Sequence, residues 1–391
     1  MSPTHHKVVP GREATAPQVA GPGPAVEGLE AVALRLPVDA DEETDGTARW
    51  DATTMVLVRA HAAGVTGTGW TYGPAACAAI VDELLAPVVL GRPAYGVPGS
   101  WLAMVRAARN STRAGAVGYA VSAVDVALWD LHARLLGVAV PDLLGRVHDE
   151  VDVYGSGGFT SYDDDRLADQ LDRWVRGQRI PRVKVKIGRP GGADHARDVE
   201  RMRLARDTIG DATELYVDAN GAYSAKQAVR TFEAAQSAGA AVTWFEEPVS
   251  SDDLAGLALV RQLVDADVAA GEYGTDIGYF ETMCRAGAVD CLQVDATRCG
   301  GWTEWLRAAA VAAAHHLDVS AHCAPHLHAP VAAATPNVRH LEWFHDHVRF
   351  EDAVFDGTLD PCGGSVRPAP DRAGHGLTVD EDAVERLRVA S

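Results

Sequence analysis

The segments RVKVKIG (182–188), ELYVDAN (214–220), AVTWFEEP (241–248), DVAAGEYG (267–274), VDCLQVDATR (289–298), DVSAHCAP (318–325) and HLEWFHDH (340–347) follow one another along the 391-residue chain. Each is a short apolar run ending in charged or polar residues. Helix-like stretches such as HARDVERMRLARDTIG (195–210) and AKQAVRTFEAAQSAG (225–239) separate most of them. Short buried strands alternating with amphipathic helices are the pattern of βα units around a parallel sheet. With VDVYGSGGF (151–159) as the first, eight strands are expected. Lys186, Asp218, Glu246, Glu272, Asp295, His322 and Glu342 then step along the chain by 32, 28, 26, 23, 27 and 20 positions. A repeated βα unit accounts for that spacing. Eight such units close into an α/β fold, a TIM-type (β/α) barrel whose C-terminal strand ends meet on one face.

Upstream of the barrel, EGLEAVALRLP (27–37), TTMVLVRAH (53–61) and GVTGTGWTYG (64–73) read as a three-stranded meander, with an acidic loop from Asp39 to Asp51 between the first two. Residues 75–144 are mostly helical in pattern. AVGYAVSAVDVALWDLHARLLG (116–137) spaces its apolar residues at three and four, and Gly137 and Pro141 close it. The expected organisation is a Pro- and Gly-rich mobile tail over 1–24, an α+β capping domain over 25–147 and the barrel over 148–350. A C-terminal segment over 351–391, ending in DEDAVERLRV (380–389), returns to the cap.

Thirty-five basic against 54 acidic residues give a net charge of −19. A phosphate-binding face needs clustered Lys and Arg, so nucleic acid and membrane are excluded as main partners. An anionic substrate would need a local cation to overcome this field. The six cysteines form no C-x-x-C pair, no apolar run approaches a membrane span, and the N-terminus lacks the pattern of a signal peptide. These features predict a cytoplasmic protein with reduced thiols.

Asp218, Glu246 with Glu247, and Glu272 stand at three consecutive strand ends. Any one of them alone could cap a helix. Three in register suit a hard divalent cation, Mg2+ above all, because it takes oxygen ligands and keeps positions open for substrate. Side chains alternate along a strand, so one of Glu246 and Glu247 points into the barrel mouth. Lys184 and Lys186 share a face of the second strand. Burying both is costly unless the carboxylates lie opposite or one lysine is neutral and serves as a base, its pKa brought down toward 7 to 8. Asp295 and His322 end adjacent strands, so the carboxylate can hold and orient the imidazole. Glu342 lies one strand further on.

The ordered set VKVKIG, VDAN, WFEEP, GE, VDATRCGG, SAHCAP and HLEWF, together with SAVDVALWDLHARLLG (122–137), resembles the enolase superfamily and its mandelate racemase-like subgroup. The resemblance covers the chain from about Glu27. It implies Asp218, Glu246 and Glu272 as metal ligands, with Glu247 behind them, and Lys184 against a substrate carboxylate. Lys186 would be one acid/base, and His322 paired with Asp295 the other. Glu342 matches an acid that hydrogen-bonds the substrate carboxylate. Asn220, Arg298, Trp302, His326 and His328 are candidate substrate contacts. Muconate cycloisomerase-like members place a lysine where this chain has Asp295 and lack the strand-seven histidine, which argues against their reaction here.

The implied activity is abstraction of the proton α to a carboxylate through an enediolate stabilised by Mg2+ and Lys184. Dehydration of a sugar acid to a 2-keto-3-deoxy acid is the expected outcome, with racemisation or epimerisation of a 2-hydroxy acid as the alternative. A catalytically silent binding barrel has no use for this ordered set of residues, and the all-oxygen donors disfavour a zinc hydrolase. Relatives of this kind commonly assemble, so a homo-oligomer is expected. Specificity should lie in cap loops near Asp39–Asp51 and Trp70–Pro74.

Overall fold

The computed structural model describes residues 23–39, 42–368 and 371–389, so nearly all of the expected tail, with His5 and His6, lies outside the described residues. The cap is built on an antiparallel sheet of β1 (Gly28–Pro37), β2 (Ala52–Ala62) and β3 (Val65–Tyr72), in that spatial order. The long helix α1 (Ala116–Leu136) lies flush on it. Glycines in β3 make that closeness possible. A Cβ on Gly67 would stand 2.2 Å from the Leu131 nitrogen, and one on Gly69 would stand 2.4 Å from the Ala123 carbonyl. The acidic stretch expected as a loop contains a small ribbon, Glu43–Thr44 paired with Arg49–Trp50.

The barrel strands are β4 (Val151–Gly157), β5 (Arg182–Lys186), β6 (Glu214–Asp218), β7 (Val242–Glu246), β8 (Asp267–Ala270), β9 (Cys291–Val294), β10 (Asp318–Ala321) and β11 (Val338–Phe344). They run parallel in chain order, and β11 closes the ring by pairing Leu341–Phe344 with Val153–Ser156 of β4. All eight strands read from the sequence are present. In register, Lys186 lies beside Asp218 and Asp218 beside Glu246, so these side chains share one level of the barrel mouth.

Helix α2 (Pro325–Ala332) follows β10, and helix α3 (His345–Val354) follows β11. The expected boundary at 350/351 falls inside α3, because the helix continues without a break. The C-terminal segment divides its contacts. Ser365–Val366 pairs antiparallel with Val151–Asp152 of the barrel. Further on, Gly374 bridges to Ala139, Arg388 bridges to Leu34, and Glu381 meets Arg59 at 2.7 Å on the cap.

Cap and barrel are joined through buried carboxylates. Asp125 on α1 accepts from the Thr303 backbone (2.9 Å) and hydroxyl (2.6 Å), at the start of the helix after β9. Thr71 donates to the Thr297 carbonyl (2.7 Å), and the Gly300 amide donates to the Ser122 hydroxyl (2.8 Å). The cap therefore holds the 295–301 loop from above. Asp130 accepts from the Thr68 and His375 backbones, each at 2.8 Å. Glu351 accepts from Trp70 Nε1 (3.0 Å), the Tyr72 hydroxyl (3.2 Å) and His326 Nδ1 (2.7 Å).

Candidate active site

The polar ends of the barrel strands converge beneath the cap. One oxygen each of Asp218, Glu246 and Glu272 lie within 4.8 Å of one another, and all three side chains are buried. The chain turns sharply where β6, β7 and β10 end. Asn220 (φ 45°), Glu247 (φ 37°) and Cys323 (φ 53°) occupy the left-handed region, which for non-glycine residues is strain concentrated at functional sites. Of the two adjacent glutamates, Glu246 joins the cluster. Glu247 turns aside and accepts from the Ser251 hydroxyl.

Lys184 is fully buried beneath this cluster. Its Nζ meets Glu246, Glu342 at 2.7 Å and Asp218 at 3.7 Å. Lys186 binds Asp218 and reaches the cavity above. Burial pushes both lysines down, but the surrounding carboxylates outweigh it and hold them above their ordinary values. Of the two ways left open for burying both lysines, carboxylates lying opposite is the one seen here, each ammonium being the counter-ion of buried acids. Burial pushes the Glu246 carboxyl well up, and the neighbouring acids Asp218 and Glu342 add to that rise while Lys184 opposes it.

Two buried oxygens of residues lining the cavity beside this cluster, Glu272 Oε2 and Asn220 Oδ1, have no hydrogen-bond donor. Unpaired buried acceptors are costly, and a bound cation or its ligands would satisfy them. The donor set therefore fits a hard divalent cation.

Across the mouth, His322 Nδ1 pairs with Asp295 Oδ2 at 2.7 Å. Burial raises the Asp295 pKa, but its bond to His322 and the charge of Arg298 hold the carboxyl far below its ordinary range. The second nitrogen of His322, Nε2, lies 3.4 Å from Glu272 Oε2 and 3.3 Å from Cys323 Sγ. Arg298 meets Glu272 at 3.2 Å and Asp295 at 3.3 Å, linking the two halves of the site. Glu342 accepts from the Ser156 hydroxyl and the Cys323 amide, each at 2.6 Å, as well as from Lys184. Both of its oxygens are engaged within the protein, and it lies below the cavity.

The cavity is about 440 Å³. Lys186, Asn220, Glu272, Arg298 and His322 form its floor side. The cap contributes Asp45, Trp50 and Tyr72, and the β11–α3 corner adds Phe344, Asp346 and His347. Sequence reasoning missed Ser156 and Cys323, and it missed Tyr273, which flanks Arg298 with its ring 5.4 Å from the guanidinium. The parity that aligns Lys184 with Lys186 would have marked Ser156.

Three expected substrate contacts need correction. Trp302 is fully buried, its indole N–H spent on the Leu327 carbonyl at 3.1 Å. His326 is buried on Glu351 at the cap joint. Neither side chain lines the cavity, because both face the packed layer between helices and cap. His328 is likewise buried, and its Nε2 accepts from the Ala296 amide at 2.8 Å.

Comparison with known proteins shows the family of the chain. Residues 30–145 match the family described as "Mandelate racemase / muconate lactonizing enzyme, N-terminal domain", and residues 166–383 match "Enolase C-terminal domain-like". A 3,6-anhydro-alpha-L-galactonate cycloisomerase from Streptomyces coelicolor is 31% identical over 91% of this chain and 97% of its own length. A mandelate racemase/muconate lactonizing enzyme-like protein from Rubrobacter xylanophilus is 47% identical, with a TM-score of 0.90 over 94% of this chain and all of its own. A variant of L-talarate/galactarate dehydratase from Salmonella typhimurium, solved with Mg and L-glucarate, is 26% identical, with a TM-score of 0.86 over 100% of this chain and 98% of its own. The chain belongs to the mandelate racemase-like subgroup of the enolase superfamily.

Proposed function

We propose that this protein is a Mg2+-dependent enzyme that abstracts the proton α to the carboxylate of a sugar acid and expels a β-oxygen, giving a 2-keto-3-deoxy acid. The observation that carries the reading is the pair of proton-transfer groups lining one cavity beside the carboxylate trio, with Lys186 on one side and His322, held by Asp295, on the other. Mg2+ at Asp218, Glu246 and Glu272 would stabilise charge developing on the substrate carboxylate and would compete for the acids that keep Lys186 protonated.

The rest falls to the chain's own residues. Lys184 adds positive charge under the same carboxylate, and Glu342 positions it. Lys186 Nζ or His322 Nε2 takes the α-proton from its own face of the substrate. Asp295 fixes the His322 tautomer through Nδ1, so Nε2 is the atom that exchanges protons with substrate, and its imidazolium can protonate a departing β-oxygen. Arg298 bridges Glu272 and Asp295 and keeps the two halves in register.

The relationship to an anhydrogalactonate cycloisomerase favours a second reading, in which the departing β-oxygen belongs to a ring and the product keeps both fragments. The sequence departure from muconate cycloisomerase-like members bears on a different reaction and does not remove this one. Racemisation requires the same α-proton step with return of the proton on the opposite face. A panel of sugar acids and their anhydro forms, assayed with Mg2+ for carbonyl-reagent adducts and for epimers, separates the three. Keto acid from the open-chain acids is the expected result, and epimers alone would overturn it.

A further inference from the structure

The cavity wall differs in charge between its two sides. On the barrel side its cations are already committed, Lys186 to Asp218 and Arg298 to Glu272 and Asp295. On the side facing the cap the wall carries two carboxylates, Asp45 from the cap ribbon and Asp346 from the β11–α3 corner, among Thr53, Thr54, Trp50 and Tyr72. Asp45 lies in the ribbon turn, where one oxygen accepts from the Thr47 and Ala48 amides at 2.7 Å. Asp346 accepts from Trp50 Nε1 at 3.2 Å, which ties the ribbon to α3.

The nearest further cations are also occupied. Arg349 lies 3.5 Å from Asp346 and 4.0 Å from Asp39, and Arg166 lies 2.6 Å from Asp39. His347 is stacked on Tyr72, its Nδ1 accepts from the Ala324 amide, and burial keeps the ring neutral. Among the described residues, the cap-side wall therefore offers acceptors and neutral hydroxyls and has no uncommitted cation.

Resting on the proposed α-proton chemistry, we infer that the substrate carries a single carboxylate: an aldonic acid, open-chain or as an anhydro form, and not an aldaric acid. The one carboxylate goes to the floor of the site, and the polyhydroxylated chain runs toward the cap, where its hydroxyls donate to Asp45 and Asp346 and meet the faces of Trp50 and Tyr72. A terminal carboxylate there would find only neutral hydroxyls and no uncommitted cation to offset its dehydration, and it would face Asp45 as well as Asp346, whose charge Arg349 only partly offsets, an arrangement that disfavours such a ligand. The inference is narrower than the family relationship, since the Salmonella dehydratase is solved with a diacid, L-glucarate.

The test uses the full-length protein with Mg2+ and matched five- and six-carbon pairs of aldonic and aldaric acids. Keto acid formation is measured together with exchange of the α-proton for deuterium. At least one aldonic acid should react, with kcat/KM 100-fold or more above its aldaric partner. Asp346→Asn should narrow that gap by 10-fold or more, and Asp45→Asn, in an outlying turn, gives a second reading should Asp346→Asn fold poorly. Aldaric acids that react as well as the best aldonic acid would overturn the inference and leave the dehydration reading standing. Exchange confined to aldonic acids without keto acid would do the reverse. Absence of both exchange and product from every acid would overturn the two together.

Discussion

Buried acids serve two different purposes in this molecule. Where the cap meets the barrel and the C-terminal segment, Asp125, Asp130 and Glu351 accept from backbone amides, from indole, hydroxyl and imidazole groups and, at Asp130, from the Arg134 guanidinium. Beneath the cavity, Asp218, Glu246 and Glu342 crowd around two lysines, and Glu272, on the cavity wall beside Arg298 and His322, keeps an oxygen without a donor. A carboxylate that exists to hold a fold is enclosed by donors, while one that exists to bind is left incomplete. The difference shows in the joint's tolerance of its own cost. Burial pushes the Asp125 carboxyl up to about 7 even with its two Thr303 bonds, so this acid is retained for connection and not for charge.

The contrast is broken most severely at the trio. Glu272→Gln or Asp218→Asn should abolish turnover in the presence of Mg2+, and Glu272→Gln, which unpairs no buried lysine, should leave the melting temperature within about 2 °C of the parent, as read by steady-state assay and calorimetry. A large fall in the melting temperature of Glu272→Gln would place that acid with the joint. Next, Asp295→Asn should lower kcat by about 10²–10⁴-fold with a much smaller change in metal affinity, because the orientation of His322 is lost while Arg298 keeps its contact with Glu272. Titration calorimetry with Mg2+ checks the second half of that expectation.

Asp130→Asn should show the opposite profile. Removing a carboxylate that gathers Thr68, His375 and Arg134 should cost about 2–3 kcal/mol of stability. The kcat of the folded fraction should remain close to that of the parent. A denaturant titration beside an active-site titration tests this pair of outcomes.

The smallest expected effect concerns Glu43, at the root of the ribbon over the cavity. Burial, reinforced by the charge of Asp346, pushes its carboxyl up to about 9. The folded chain thus keeps a proton that the unfolded chain has already released, so stability falls as pH rises from about 5 toward 9. Amide exchange of residues 43–50 should quicken over that range in the parent and change much less in Glu43→Gln.

The barrel was legible because its strands are short, apolar and punctuated at their ends by unlike charged residues, a pattern that local sequence carries in full. Lys184, Lys186, Asp218 and Glu246 were readable for the same reason, since strand parity puts the two lysines on one face and the acids stand at the strand ends. Parity also says that one of Glu246 and Glu247 must turn away, although not which one. The helical shell carries no such signal. Trp302 and His326 follow strand ends as Arg298 and His322 do, and only the packing of α2 and the cap shows that the Trp302 indole N–H and His326 Nδ1 are engaged by Leu327 and Glu351. Asp45, Trp50, Tyr72 and Asp346 come from separate turns and strands whose meeting is a property of the assembled fold. The 122–137 motif marked a helix clearly, yet the work of its two aspartates appears only when Thr303 and His375 arrive from distant parts of the chain.

Loss of the α-proton is the central claim, and deuterium exchange reads it directly. With Mg2+ in D2O, an accepted sugar acid should lose its C2 proton, either to solvent deuterium in recovered substrate or in forming the keto acid, and Glu272→Gln should do neither. Turnover that leaves the C2 proton in place, or full turnover by Glu272→Gln, would contradict the account.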